Sequence, residues 1–265
     1  MEAADLERRF GGVRRLYGEE AARRIAGAHI AVVGIGGVGS WTAEALARSG
    51  VGALTLIDLD MVAESNTNRQ IHALGKEYGK AKVDVMAERI AAIHPACRVT
   101  TLEDFVTLEN VSVCLPDHLD VVVDAIDAVR VKAAMIAHCC RSSLPIVTAG
   151  AAGGKTDPTR ICRDDLARVT QDPLLSKVRA LLRREYGFPK GEAKKPPKKF
   201  GVPALFSTEP VRAPESCPGA SGDSLPLQGL SCVGFGSSVC VTASIGFAAA
   251  ALALELACEA SGQAK

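Results

Sequence analysis

No Cys-x-x-Cys pair occurs in this chain, although it carries nine cysteines. That excludes the structural zinc site built on two such pairs. Net charge is also missing: 31 Lys and Arg against 30 Asp and Glu leave a formal charge of +1. The whole protein is therefore neither a strongly basic nor a strongly acidic binder, and any nucleic-acid argument must rest on local clustering. No secretory leader precedes the first helix-like segment, which carries Glu7, Arg8 and Arg9. The thiols accordingly read as reduced and the location as cytoplasmic. Finally, no charged residue falls between Asp223 and Glu255. Within that interval Val239 to Leu254 is long and apolar enough to raise a membrane span. Thr242, Ser244 and Gly246 dilute it and Glu255 interrupts it. A buried or dimer-interface helix is the expectation, with membrane association through residues 239–258 as the alternative.

What is present centres on Gly34-Ile35-Gly36-Gly37-Val38-Gly39. The apolar run His29 to Val33 before it reads as a buried strand. Ser40 to Arg48 after it carries Trp41, Ala45 and Leu46 at helical spacing. Strand, glycine turn and helix form a nucleotide-binding βαβ unit, in which backbone amides at the helix start face a phosphate. Dehydrogenases, flavoproteins and nucleotidyl-transferring enzymes all use this unit. The fold class expected is α/β: a Rossmann-like nucleotide-binding fold with a mostly parallel central sheet and a C-terminal extension. A chain of 265 residues, 48% of them hydrophobic, supports a single domain. Its expected parts are N-terminal helices over 1–28, a nucleotide-binding core over 29–165, and a basic segment, mobile loop and apolar helix over 166–265.

Before the core, Asp5 to Ile25 reads as one or two short helices interrupted by Gly11, Gly12 and Gly18. Its arginines form either a solvated face or a source of one arginine for a nucleotide site, reached across a dimer. Further strands are expected at Leu54 to Ile57, Cys97 to Thr101, Val121 to Val123 and Pro145 to Thr148, with Gly150 to Gly154 a flexible turn. Asp58 stands at the second strand's end, about 20 residues beyond the glycine loop, where an acid accepts ribose hydroxyls. Then Glu64-Ser65-Asn66-Thr67-Asn68-Arg69-Gln70 supplies amide and cationic donors that a dinucleotide does not need and a triphosphate does. Lys80 and Lys82 open the next helix, an unfavourable place for cations unless an anion is near. Asp127, beyond the fourth strand, is placed either to hold a magnesium ion bridging phosphates or to cap the helix Val129 to Arg141.

Residues Lys177 to Lys199 hold nine lysines and arginines opposed by Glu185 and Glu192. This is a solvated helix and tail or a footprint for a phosphate backbone. Proline recurs from Pro189 to Pro226, which reads as a loop.

Taken together, the glycine loop, Asp58-x-Asp60, Ser65 to Gln70, Lys82 and Asp127 resemble the ubiquitin-activating enzyme superfamily, close to its ThiF-type adenylating members. Within it the chain is similar to the tRNA threonylcarbamoyladenosine dehydratase group. Arg9 to Gly12, Arg15 to Gly18, Asn66 to Leu74 and Asp124 to Asp127 carry that similarity, and Gln171-Asp172-Pro173, Phe206 to Glu209 and Gly234-Phe235-Gly236 extend it. The resemblance implies an ATP-dependent dehydration, or cyclisation, of threonylcarbamoyladenosine next to the tRNA anticodon, through adenylation of its carboxylate and ring closure. It implies that Gly34, Gly36, Gly37 and Gly39 contact ATP, with Asp60, Ser65 and Gln70 also at the nucleotide, and that Asp58 holds the ribose. Asn66, Asn68, Arg69 and Lys82 would hold the phosphates, and Asp127 would bind Mg2+. It also implies a homodimer donating Arg9 in trans, a monovalent cation (K+ or Na+), and a link to a cysteine-desulfurase and sulfur-acceptor system. Arg69, Lys82, Asp127 and Arg9 are the candidate catalytic groups. Cys232, before a glycine-rich turn, is a candidate for a thioester or a buried structural thiol. One rival function is activation of the C-terminus of a sulfur-carrier or ubiquitin-like protein. Another is nicotinamide-dependent oxidoreduction, and a third is a non-catalytic sulfur-relay or scaffold role.

Overall fold

All five expected strands recur within one residue of their bounds, and all run parallel. They are β1 (His29–Val33), β2 (Ala53–Ile57), β3 (Arg98–Leu102), β4 (Val121–Asp124) and β5 (Ile146–Ala149). The structure is a computed structural model and describes residues 4–191, 195–212 and 235–260. β6 (Ile161–Asp165) and β7 (Pro203–Ser207) complete a seven-stranded sheet ordered β3-β2-β1-β4-β5-β7-β6. Within this sheet, among the described residues, only β6 and β7 pair antiparallel. The central strands are apolar throughout because both faces are covered. Ile30 and Val32 of β1 point into one core and Ala31 and Val33 into the other.

β7 corrects the reading of Pro189 to Pro226 as a loop. Pro203 opens the strand, where a missing N–H costs no ladder bond in the sheet interior. Ala204 and Leu205 then pair with Thr148 and Ala149, and Phe206 is buried. β6 escaped the sequence reading because Cys162 and Arg163 face solvent, as suits an antiparallel edge. Residues 213–226 of the proline-rich stretch lie outside the described residues.

α1 (Leu6–Tyr17) and α2 (Glu19–Gly27) cross the outside of the first core. The expectation that Gly11 and Gly12 break α1 is corrected: only Gly18, at φ 86°, separates the two helices. Asp5 caps α1 by accepting from the Arg8 amide at 3.0 Å. Phe10 pins it, edge-on to His94 and facing Gly50, where an added Cβ would meet the ring at 3.2 Å. α3 (Gly39–Arg48), α4 (Lys82–Ile93), the short α5 (Val111–Cys114) and α6 (Val129–Arg141) follow. α7 (Pro173–Glu185) has Asp172 as its cap and Pro173 in its first turn, and buries Leu174, Leu175, Val178, Leu181 and Leu182 at helical spacing. The basic tract is therefore a packed helix as far as Glu185, with its lysines and arginines on the other side.

The apolar α8 (Val239–Ala260) passes the length and hydropathy test for a membrane span. Val241, Ile245, Ala249, Ala253 and Ala257 are nonetheless buried in the first core. α8 crosses α3 closely at Gly246, where an added Cβ would stand 2.6 Å from the Val38 carbonyl oxygen and 2.8 Å from Trp41 Cβ. The Thr42 hydroxyl donates to the Gly246 carbonyl at 3.1 Å. In an isolated helix Gly→Ala is stabilising by about 1 kcal/mol. Here backbone crowding reverses the sign: Gly246→Ala is expected to lower unfolding free energy in urea by about 1–3 kcal/mol.

Candidate functional site

β1 has β2 on one side and β4 on the other, and the chain order reverses between β1 and β4. In an open α/β sheet the crevice at that reversal, beyond the strands' carboxyl ends, is where ligands bind. A cavity of about 710 Å³ lies there, lined by Gly34, Gly36, Gly37, Asp58, Asp60, Asn66, Arg69, Gln70, Lys82 and Asp127. Four of the sequence-identified residues do not line it: Gly39, Ser65, Asn68 and Arg9.

The glycine turn is built by close approach. Gly34 holds φ 88°, and a Cβ there would meet Ile126 at 2.9 Å. Gly39 lies against the Gly34 carbonyl, where a Cβ would fall at 1.8 Å. No larger residue fits, so Gly39 shapes the turn from behind. Among the described residues no acceptor takes the amides of Gly36 and Gly37, which stand at the start of α3. Unsatisfied amides at a helix start form an anion site.

Asp58 closes the turn from β2. Its Oδ2 accepts from the Ile35 amide at 2.6 Å and its Oδ1 from the Asp60 amide at 2.8 Å. Burial raises its pKa, and the Lys82 charge and the two amides pull it back. A carboxylate has about four lone-pair sites, so acceptor capacity remains for two hydroxyls. Lys82 is buried in the first turn of α4 and its Nζ donates to Asp60 Oδ2 at 2.7 Å. Asp60 thus compensates the lysine that the helix dipole disfavours. Arg69 is held rather than free: its Nη1 donates to the Ser65 carbonyl and to Asn68 Oδ1, each at 2.8 Å. Asn68 in turn donates to the Ser237 carbonyl at 3.0 Å. Ser65 and Asn68 therefore orient Arg69 from outside the cavity. The Trp41 indole, donating to the Arg69 carbonyl at 2.9 Å, fixes the same segment to α3.

Asp127 is exposed on the opposite wall and forms no hydrogen bond or ion pair among the described residues. It does not cap α6, whose N-cap is Ala128 with no side-chain bond. Among the described residues no three His, Cys, Asp or Glu side chains cluster to hold a metal. A lone open carboxylate beside a phosphate cradle fits magnesium, which keeps several waters and shares one or two carboxylates with substrate phosphates. Arg9 lies elsewhere in its own chain: its guanidinium donates to the carbonyls of Ala92 and Ile93 at the end of α4.

Several residues of the site have no counterpart in the sequence reading. Thr242 of α8 lines the cavity and packs 3.2 Å from where a Gly37 Cβ would stand. It sits inside an apolar run, so only tertiary structure shows its role. Gly150 to Ala152, expected as a flexible turn, line the cavity and are fixed: Asp172 Oδ2 accepts from the Ala151 amide at 2.9 Å. Lys155, fully buried, faces that carboxylate at 3.7 Å, and burial lowers its pKa despite Asp172. Lys132 is also fully buried, with Nζ 2.8 Å from Asp124 Oδ1. An acid at a strand end eight residues before a helical lysine was the available signal.

Cys232 lies outside the described residues. The seven described cysteines are free and none lines the cavity. Burial pushes Cys97 up to about 11 and Cys139 up to about 12, so neither is a reactive thiolate.

His72 is buried, neither ring nitrogen has a partner among the described residues, and burial with the Lys82 and Arg89 charges lowers its pKa to about 4. A histidine at its ordinary value in the unfolded chain takes a proton there first, so folding stability is intact above pH 6.5 and falls as pH drops toward 4. Between pH 7 and pH 5 the loss from this residue is about 2 kcal/mol. Urea denaturation of His72→Leu is expected to show a flatter pH dependence in that interval by about that amount.

The ThiF family model matches residues 10–260. The chain is 51% identical to the tRNA threonylcarbamoyladenosine dehydratase of Escherichia coli over 251 residues, covering 93% of this chain and 92% of that protein. It is 46% identical to the enzyme of the same name from Haemophilus influenzae, covering 92% and 90%. A crystal structure of the Escherichia coli enzyme in complex with ATP superposes with a TM-score of 0.86 at 48% identity, covering 100% of both chains.

Proposed function

The chain belongs to the ThiF family, and from that premise we propose that it is an ATP-dependent dehydratase of threonylcarbamoyladenosine in tRNA, acting beside the anticodon. One observation carries the reading. A single cavity at the strand reversal gathers free glycine amides, the Asp58 carboxylate, two held cations and an open Asp127 carboxylate. The relatives so named match more than nine-tenths of this chain's length.

A carboxylate resists attack because its charge and resonance remove electrophilicity. In the first step a carboxylate oxygen of the threonyl group attacks the α-phosphorus of ATP. The bond to the β-phosphate oxygen breaks and pyrophosphate leaves. Asp58 accepts the ribose hydroxyls, and the Gly36 and Gly37 amides face the phosphates. Arg69 and Lys82 lie where charge grows on the departing pyrophosphate, which is the main electrostatic requirement in phosphoryl chemistry. Asp127 would hold magnesium, which when bound adds positive charge to the phosphates. In the second step the ureido group of the same nucleoside attacks the acyl carbon, loses a proton and expels AMP. The oxygen lost as water from the nucleoside thus departs on AMP. Ring closure is intramolecular, so positioning supplies much of its rate. No protein nucleophile is required.

Exposed Lys177, Arg184, Lys190, Lys198 and Lys199 support an RNA partner by local positive charge. α7, which carries the first two, also sends Leu174 to the cavity wall. A homodimer would let Arg9 act on the partner's site after leaving the α4 carbonyls. Activation of a carrier-protein C-terminus is the weaker reading, since the dehydratase relatives match more than nine-tenths of this chain at 46–51% identity. A nicotinamide enzyme leaves Arg69, Lys82 and Asp127 without work.

Incubation with ATP, magnesium and tRNA bearing threonylcarbamoyladenosine is expected to yield a nucleoside lighter by one water, read by mass analysis of the digest. An unchanged nucleoside, with pyrophosphate exchange supported by a carrier protein instead, overturns the reading. Asp127→Ala is expected to slow tRNA-dependent pyrophosphate exchange on the order of 100-fold, as loss of one charge-stabilising group does.

A further inference from the structure

Lys132 is a lysine with no exposure, eight residues beyond a carboxylate with none. Its Nζ lies 2.8 Å from Asp124 Oδ1, 2.8 Å from the Ile126 carbonyl oxygen and 3.4 Å from the Asp124 carbonyl oxygen. The Thr148 hydroxyl donates to the other oxygen, Asp124 Oδ2, at 2.7 Å. One ammonium thus ties the first turn of α6 to two carbonyls within three residues before Asp127. Gly34 packs the loop from its other side, against Ile126. Asp127 itself has no bond among the described residues to hold it, and Ala128 caps nothing with its side chain. Among the described residues the backbone holds this loop only through the Ala125 amide, which donates to the Val33 carbonyl, and the Ala128 carbonyl, which accepts from the Lys132 amide, both at 2.9 Å. The side-chain anchor of this loop among the described residues is the Asp124–Lys132–Thr148 network.

A buried ion pair costs desolvation and is often replaceable by apolar residues without loss of stability. Its place here calls for another account. We propose that Lys132 is a positioning residue, which fixes the loop so that the Asp127 carboxylate meets the phosphate-bound metal at one geometry. This rests on the role given to Asp127 above. Lys132 touches no substrate, since it is buried away from the cavity and absent from its lining.

The test uses the full chain and compares Lys132→Met, Asp127→Asn and the double variant. The readouts are calorimetric ATP binding in EDTA, amide hydrogen exchange at residues 125–128 in the nucleotide-free protein, and the Mg2+ concentration giving half-maximal tRNA-dependent pyrophosphate exchange. Lys132→Met is expected to bind metal-free ATP within about twofold of the parent. Exchange at 125–128 should rise at least tenfold, and half-saturation by Mg2+ should move up at least tenfold. The double variant should be no worse than Asp127→Asn, because both act through one carboxylate. A purely structural role predicts lower thermal stability with Mg2+ half-saturation unchanged, and that result overturns the inference. If Asp127→Asn leaves the Mg2+ dependence unchanged, the role of Asp127 falls, and the Lys132 inference with it. If Asp127→Asn alters that dependence and Lys132→Met does not, only the inference about Lys132 falls. Should Lys132→Met not fold, Thr148→Val loosens the same network without stranding a charge, and a shift in the same direction or its absence decides the matter.

Discussion

The site depends on two segments approaching more closely than side chains permit. The turn after β1 and the loop after β4 meet at Gly34, where even a methyl group would collide with Ile126, while Gly39 lies against the carbonyl of Gly34. Close-packed interiors have no slack to absorb an added atom at such a contact. The reversal of strand order then leaves a crevice between the same two loops, and each contributes one kind of chemistry. The first gives amides and, through Asp58, an acceptor. The second gives an open carboxylate.

Charge in the crevice is arranged by pairing. Lys82 reaches the cavity while bound to Asp60, and Arg69 while bound to Ser65 and Asn68. Each cation is thereby oriented before any anion arrives, which lowers the ordering cost of binding. The fully buried pairs, Asp124 with Lys132 and Asp172 with Lys155, lie behind the β4 and β5 loops. They hold backbone that lines the cavity, at positions where loop residues alone would leave polar groups unsatisfied.

Much of this was legible in the sequence, for identifiable reasons. The central strands announce themselves because parallel strands buried on both faces are apolar without alternation, as in Val121 to Val123. The glycine loop, Asp58 and the Ser65 to Gln70 run are local signals whose chemistry depends on spacing. What stayed hidden depends on contacts distant in sequence. β7 begins at a proline that suggested a loop, and its strand identity comes only from pairing with Thr148 and Ala149. Asn68 gives no sign in the sequence that it also orients Arg69, a contact made while its amide donates to the Ser237 carbonyl. Gly11 and Gly12 looked like breaks, but packing of Phe10 against His94 keeps α1 whole.

The crossing of α8 over α3 has a consequence for the order in which the molecule is made. The Thr42 hydroxyl and the Gly246 carbonyl it binds are 204 residues apart in sequence. Contacts so distant are slow to form, since a long loop must close before they return any free energy. During synthesis the glycine turn leaves the ribosome long before Thr242 exists to wall one side of it. A nascent chain made as far as α7, with β1 to β5 already paired, has every other described lining residue of the crevice but lacks the Thr242 wall.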